Sequence, residues 1–151
     1  MNPEHLELVN RGANAVDEWR RENLADRLDL SGADLSGAQL AGWNLSRAIF
    51  DHANLSGADL SGTDLSEASL RNANLRGAKL FKAILSRTKF SGADLSGVDF
   101  RQANMYRAVL RESNIEGADF MRALTYKVIW PEGTGNIPGA HAARHSSQTE
   151  A

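Results

Sequence analysis

A chain of 151 residues with 17 Lys and Arg against 19 Asp and Glu is close to neutral, at a net charge of −2, and 42% of it is hydrophobic. That is enough apolar material for one domain with a core of its own, and the charge balance excludes a generally basic nucleic-acid binder. The absence of cysteine excludes disulfides and thiolate metal sites.

The N-terminal stretch MNPEHLELVN has no basic segment leading into an apolar run, and no long apolar run occurs elsewhere. A soluble, cytoplasmic protein without a membrane segment is the expectation. Residues 1–27 read as a helical cap. Asn2 is a capping residue followed by Pro3, a residue favoured at the first helical position. Leu6, Val9, Ala13, Val16 and Trp19 then recur at three- and four-residue spacings, which puts them on one helical face, and Gly12 is placed to divide the segment in two.

A dense internal repeat occupies residues 28–125. From residue 30 to residue 120 every fifth position is large and apolar, nineteen in all, thirteen of them Leu. The expected core includes Leu35, Leu45, Phe50, Leu55, Leu65, Leu75, Phe90, Leu95, Phe100 and Phe120. Two residues before each centre stands Ala in thirteen of eighteen cases; Trp43, Thr63, Thr88, Val98 and Ser113 are the exceptions.

A period of five suits neither a straight helix nor a straight strand, because both would scatter the centres over opposite faces. All can point inward only if the chain turns a corner in every repeat. Ser-Gly pairs such as Ser56-Gly57 and Ser96-Gly97 follow the centres, where that corner must fall. Asp or Asn usually precedes the centre, as at Asp34, Asn54, Asp59 and Asn74, in a position that faces outward. Of the longer periods, twenty sorts the variable positions best. It aligns Gly37, Gly57, Gly77, Gly97 and Gly117, and it aligns Arg27, Arg47, Glu67, Arg87, Arg107 and Lys127.

The unit Ala-(Asp/Asn)-Leu-X-X, clean in ANLSGADLSG at residues 53–62, resembles the pentapeptide repeat proteins. That resemblance implies an all-β solenoid, a right-handed quadrilateral β-helix of about five coils with Leu, Phe and Ala inside. A short N-terminal helical cap is also common in the family.

After Ala123 the register is expected to slip. Tyr126, Val128 and Trp130 suggest an irregular last strand stopped by Pro131-Glu132-Gly133, so residues 126–138 read as an irregular C-terminal cap. Residues 139–151 are small and polar, and a disordered tail is expected there.

Chemistry is sparse. His5, His52, His141 and His145 are scattered without carboxylate or cysteine partners at ligand spacing, and the Ser and Asp residues recur where corners need them. No catalytic, cofactor or metal site is expected. Two outward features remain as a candidate interaction surface. One is the cationic column Arg27, Arg47, Arg87, Arg107 and Lys127; the other is the set of outward apolar residues Phe81, Tyr106 and Met121, with Ile49, Ile84 and Val109 beside them.

The reading is a non-enzymatic protein-interaction scaffold of unknown partner, with a homodimer through an end cap or outward apolar residues as one form of it. The resemblance offers an alternative, since some pentapeptide repeat proteins mimic DNA and bind type II topoisomerases in quinolone resistance. Such a mimic needs an acidic shaft, whereas residues 28–125 carry eleven acidic and eleven basic residues. Polyanion binding through the arginine column is the third possibility; nucleic acid is disfavoured because no aromatic residues interleave with that column.

Overall fold

The computed structural model describes residues 1–140. The expected tail therefore lies, from residue 141 onward and with His141 and His145, outside the described residues. Two helices open the chain, α1 (Pro3–Arg11) and α2 (Ala13–Glu22). The Asn2 side chain accepts the Glu4 N–H at 3.0 Å, as the capping role requires, and Pro3 begins α1. Gly12 separates the helices at φ 103°, a left-handed value that favours glycine.

Both helices are tied to the start of the repeat. The Asn2 N–H donates to the Asp29 carbonyl at 3.2 Å, and the Asp29 N–H donates to His5 Nδ1 at 2.8 Å. The Arg20 guanidinium donates to the Ser46 carbonyl at 2.8 Å and to Ser46 Oγ at 2.6 Å. Val9, Ala15 and Val16 are buried, and Val9 and Val16 join the solenoid core.

The repeat forms a β-helix solenoid. Seventeen parallel bridges each pair a residue with the one twenty positions further on, beginning Asp29 with Ile49 and ending Val109 with Ile129. One coil is therefore twenty residues and has four sides of five residues. Four outward columns result: face A from Asp29, face B from Asp34, face C from Gln39 and face D from Asn44. Coils of a parallel pairing stack at about 4.8 Å. The bridges stay isolated, and no continuous strand forms among the described residues. The physical reason is the short side: two of its five residues make the corner, leaving a single bridged residue before the chain turns again.

Each backbone N–H of a repeat has a recurring destination, illustrated by the unit beginning at Leu55. The Leu55 N–H donates to Asn74 O and the Gly57 N–H to Arg76 O, both in the next coil. The Ala58 N–H closes the corner on Leu55 O, and the Asp59 N–H returns to Ala38 O in the previous coil. The fifth, on Ser56, is accepted by Asn54 Oδ1 at 3.1 Å. This last bond explains the recurring Asp or Asn: a short side-chain oxygen two residues earlier satisfies the corner N–H that the stacking cannot reach.

The second corner residue has positive φ in every repeat from residue 32 to residue 127. Nine of those positions are Gly, and eleven carry other side chains at φ between 55° and 61°. None of the eleven is β-branched; they are Arg, Lys, Glu, Gln, Asn and His, which the left-handed region tolerates better than Val or Ile.

Eighteen of the nineteen centres are buried; Ile115, in the last coil, is half-buried. The polar exceptions in the small-residue slot are satisfied internally. Thr63 Oγ1 donates to Leu40 O at 2.7 Å, Thr88 Oγ1 to Leu65 O at 2.8 Å and Ser113 Oγ to Leu110 O at 2.7 Å. Trp43 is half-buried against the core.

At the C-terminal end the register does not slip after Ala123. Leu124 and Ile129 are bridged in the regular columns, and buried Thr125 occupies a centre position. A polar residue in an otherwise apolar slot hid this continuation. Trp130 falls in the next centre position, edge-on to Phe120 with ring centroids 5.1 Å apart. Phe120 in turn stacks on Phe100 at 4.9 Å. The chain becomes irregular only beyond Trp130 and returns to the side of the last coil. Ile137 and Ala140 pack on the core, and the Arg122 N–H donates to Gly139 O at 2.8 Å.

Candidate interaction surface

Stacking at a fixed interval of twenty turns the outward residues into columns, and the columns differ in chemistry. Face B is Asp34, Asn54, Asn74, Asp94 and Asn114, and face C is Gln39, Asp59, Lys79, Asp99 and Asp119. Both are wholly polar. Face D begins polar with Asn44 and Asp64 but continues Ile84, Asn104 and Leu124. Face A carries Ile49, Val109 and Ile129 among Asp29, Ser69 and Lys89.

The corners on either side of face D carry the other sequence-predicted apolar residues. Phe81 and Met121 lie on the C/D corner with Arg101 between them, and Tyr106 lies on the D/A corner below Tyr126. Ile84, Leu124, Met121 and Ile129 are 41%, 49%, 52% and 41% exposed, and among the described residues the only other large apolar side chains so exposed are Met1 and Leu24. Four such residues on adjoining columns of the later coils form a patch, whereas scattered ones need no explanation. Phe81, Tyr106 and Met121 are thus brought to one side of the solenoid, while Ile49 stands apart in an early coil.

Leu124, Tyr126 and Ile129 belong to this patch but were not among the sequence candidates. Counting the five-residue register through Thr125 would have placed them outward. The tyrosines stack with centroids 5.9 Å apart and an interplanar angle of 13°. The Arg107 guanidinium lies 5.2 Å from the Tyr106 centroid and Lys127 Nζ lies 5.3 Å from that of Tyr126. On the other corner Lys82 and Arg101 approach the Phe81 ring at 5.2 and 5.7 Å.

The cationic column exists as a column and divides into two parts. In the first coils it ties the chain together: Arg27 Nε donates to Arg47 O at 2.6 Å, and Arg47 Nη1 donates to Leu24 O at 3.2 Å, beyond the end of α2. Arg87 pairs with Glu67 at 3.8 Å, with both side chains more than half exposed, a weak contact at such exposure. Arg107 and Lys127 lie on the tyrosines. Apart from Arg27, these residues occupy the positive-φ corner position, which itself disfavours β-branched side chains and is filled by Arg, Lys, Glu, Gln, Asn, His or Gly.

The ionisable groups with shifted pKa values are structural. The Ser96 hydroxyl holds the Asp94 carboxyl below its ordinary value of 3.8, and the Arg101 guanidinium does the same for Asp99. Burial against Ser46 lowers Arg20. Among the described residues no cluster of His, Asp and Glu is arranged to hold a metal ion, and no helix is long and apolar enough to cross a membrane. His5 is engaged with the Asp29 N–H and lies edge-on to Trp19, and His52 is an exposed corner residue.

No curated protein matches the chain. Among solved structures it is similar to HetL, a pentapeptide repeat protein involved in heterocyst differentiation regulation in Nostoc sp. strain PCC 7120. Identity there is 30% over 70% of this chain and 63% of that one, with a TM-score of 0.31. It is also similar to alr5209, a pentapeptide repeat protein from Nostoc PCC 7120, at 32% identity over 78% of this chain and 86% of that one, with a TM-score of 0.32. QnrB1, a plasmid-mediated fluoroquinolone resistance protein, matches at 22% identity over 68% of this chain and 65% of its own, with a TM-score of 0.31. The chain spans less than two thirds of the length of HetL and of QnrB1. A profile of the family described as pentapeptide repeats matches residues 29–66, 48–87, 58–97 and 88–124, overlapping stretches that follow the five-residue register through most of the solenoid; the chain belongs to the pentapeptide repeat family.

Proposed function

We propose that this protein is a non-enzymatic interaction scaffold: a right-handed quadrilateral β-helix of about five coils, capped by α1 and α2, that presents one side to a protein partner. The observation that carries the reading is the segregation of the surface. Faces B and C are polar throughout, while large apolar and aromatic side chains gather in the later coils on face D, its corners and the neighbouring face A. A rigid repeat scaffold characteristically displays such a surface for recognition.

The experiment is affinity capture from source-cell lysate with the wild type, an Ile84→Ser/Leu124→Ser variant and a Lys79→Ser variant on face C, all first matched by thermal melting. A partner held by the wild type and by Lys79→Ser but lost by the face D variant is the expected result. A partner retained equally by all three moves the binding surface elsewhere, and no retained partner counts against the scaffold. Sedimentation of the purified protein identifies the case in which the partner is a second copy.

Topoisomerase mimicry has less support, because the shaft has eleven acidic and eleven basic residues and carries a cationic column where a DNA mimic needs negative charge. Polyanion binding is likewise weakened, since Arg27 and Arg47 are engaged at the junction with the helices.

A further inference from the structure

Resting on the scaffold reading, we infer that face D from residue 81 onward is a docking surface for an acidic amphipathic segment of a partner protein. Charge complementarity selects that occupant. Face D and its two corners hold fifteen outward positions in that stretch, at residues 81, 82, 84, 86 and 87 and their equivalents twenty and forty positions later. Six are cationic (Lys82, Arg87, Arg101, Arg107, Arg122 and Lys127) and none is acidic. Six more are aromatic or large and apolar, with Ile84 and Leu124 on the face itself. In the two preceding coils the same positions include Asp64 and Glu67 and no large apolar residue. The chain is neutral overall, so this one-signed surface is a local device.

An occupant must bring carboxylates for the cationic edges and apolar groups for the centre. Opposite charges at the rim set orientation and suppress wrong partners, while the apolar centre supplies most of the affinity. Nucleic acid brings negative charge for the edges, as phosphate, but no apolar side groups for the centre. It would also need an open aromatic face, and Tyr106 and Tyr126 turn faces toward each other and toward Arg107 and Lys127. One cation on each edge already has a carboxylate partner: Arg101 is held by Asp99 at 2.8 Å on the C/D corner, and Arg87 makes a looser 3.8 Å contact with Glu67 on the D/A corner.

The test uses two synthetic helical peptides with leucine along one side, one bearing glutamate elsewhere and the other lysine, together with polyglutamate and a single-stranded oligonucleotide. Binding to the full chain is followed by amide chemical-shift mapping and fluorescence anisotropy. The acidic amphipathic peptide is expected to bind, with shifts confined to face D and its corners from residue 81 onward. Arg107→Ser/Lys127→Ser should weaken it roughly tenfold, from two exposed charge pairs. Leu124→Ser should weaken it by about as much through lost apolar burial, while Lys79→Ser leaves it unchanged.

Equal binding of polyglutamate or of the oligonucleotide overturns the inference in favour of a polyanion surface. If the lysine peptide binds face D instead, the assigned charge of the occupant is wrong although the scaffold reading stands. Binding of neither peptide overturns the inference, and the scaffold reading falls with it only if the capture experiment also finds no partner.

Discussion

Gly57 occupies the second corner position at φ 64°, and nothing lies within 4 Å of the point a Cβ would take. A side chain introduced there meets no neighbour, so the change in stability isolates the backbone requirement of the corner. The left-handed region costs an L-residue about 1–2 kcal/mol, and branching at Cβ places valine at the upper end of that range. Stiffening the unfolded chain returns roughly 0.4–1 kcal/mol for Gly→Ala. Gly57→Val should therefore lose about 1–2 kcal/mol, Gly57→Ala less than about 1, and Gly57→Asn close to nothing, because Asn visits this region readily.

A domain of this size shifts its Tm by about 2–4 °C per kcal/mol, so valine should melt about 2–8 °C below the wild type and asparagine within about 1 °C. Thermal melts followed by circular dichroism give the ranking. If Val and Asn melt together, the corner does not demand positive φ, and the explanation for the missing β-branched residues at these corners fails.

Leu65→Asp places a carboxylate at a fully buried centre, removing about 1.5–3 kcal/mol of burial and adding an unpaired charge; its heat-denaturation profile should show no cooperative native transition. Gly139→Ala should loosen the C-terminal return, since the new Cβ would sit 2.9 Å from the Met121 Cα, and proteolysis beyond Trp130 reads that loosening. Trp130→Ala uncovers the Phe120 ring and should cost about 2–4 kcal/mol in a chemical denaturation curve. In the pH dimension, the Asp94 carboxyl is held below 3.8 by the Ser96 hydroxyl, so the folded state binds fewer protons than the unfolded one just below that value. Its contribution is present above about pH 4 and is lost as the pH falls through the depressed folded-state pKa. Asp94→Asn keeps the Oδ1 acceptor, as Asn54 and Asn74 already do, and should leave the melt at pH 7 unchanged while softening its decline below about pH 4.

The five-residue spacing of Leu and Phe made the core legible, because burial leaves no latitude at a centre such as Leu65. The coil length was legible in the glycine column, and the bridges place Gly37, Gly57, Gly77, Gly97 and Gly117 one above another. The role of the Asp and Asn residues was only half legible: parity shows them outward, but acceptance of the corner N–H depends on a three-dimensional turn. The cationic column was visible as a list of charges, yet nothing in Arg27 or Arg47 betrays that they bind carbonyls at the helix junction. Thr125 misled because its methyl and hydroxyl can occupy a centre at the edge of the stack, where an apolar rule relaxes. With the register carried past it, Leu124, Tyr126 and Ile129 emerge as surface.

A coil of four equal sides makes chain length itself a determinant of surface address. Removing twenty residues brings every later column down one storey and leaves its compass bearing intact. Removing five swings everything downstream through one quarter of a revolution relative to α1 and α2, while each inward Leu still points inward and each corner still closes. Such a deletion would carry Ile84, Tyr106 and Leu124 to a different bearing without altering one of them. Indels in multiples of five are therefore steps on a rotary dial, by which the fold can re-aim its recognition side without redesigning its core.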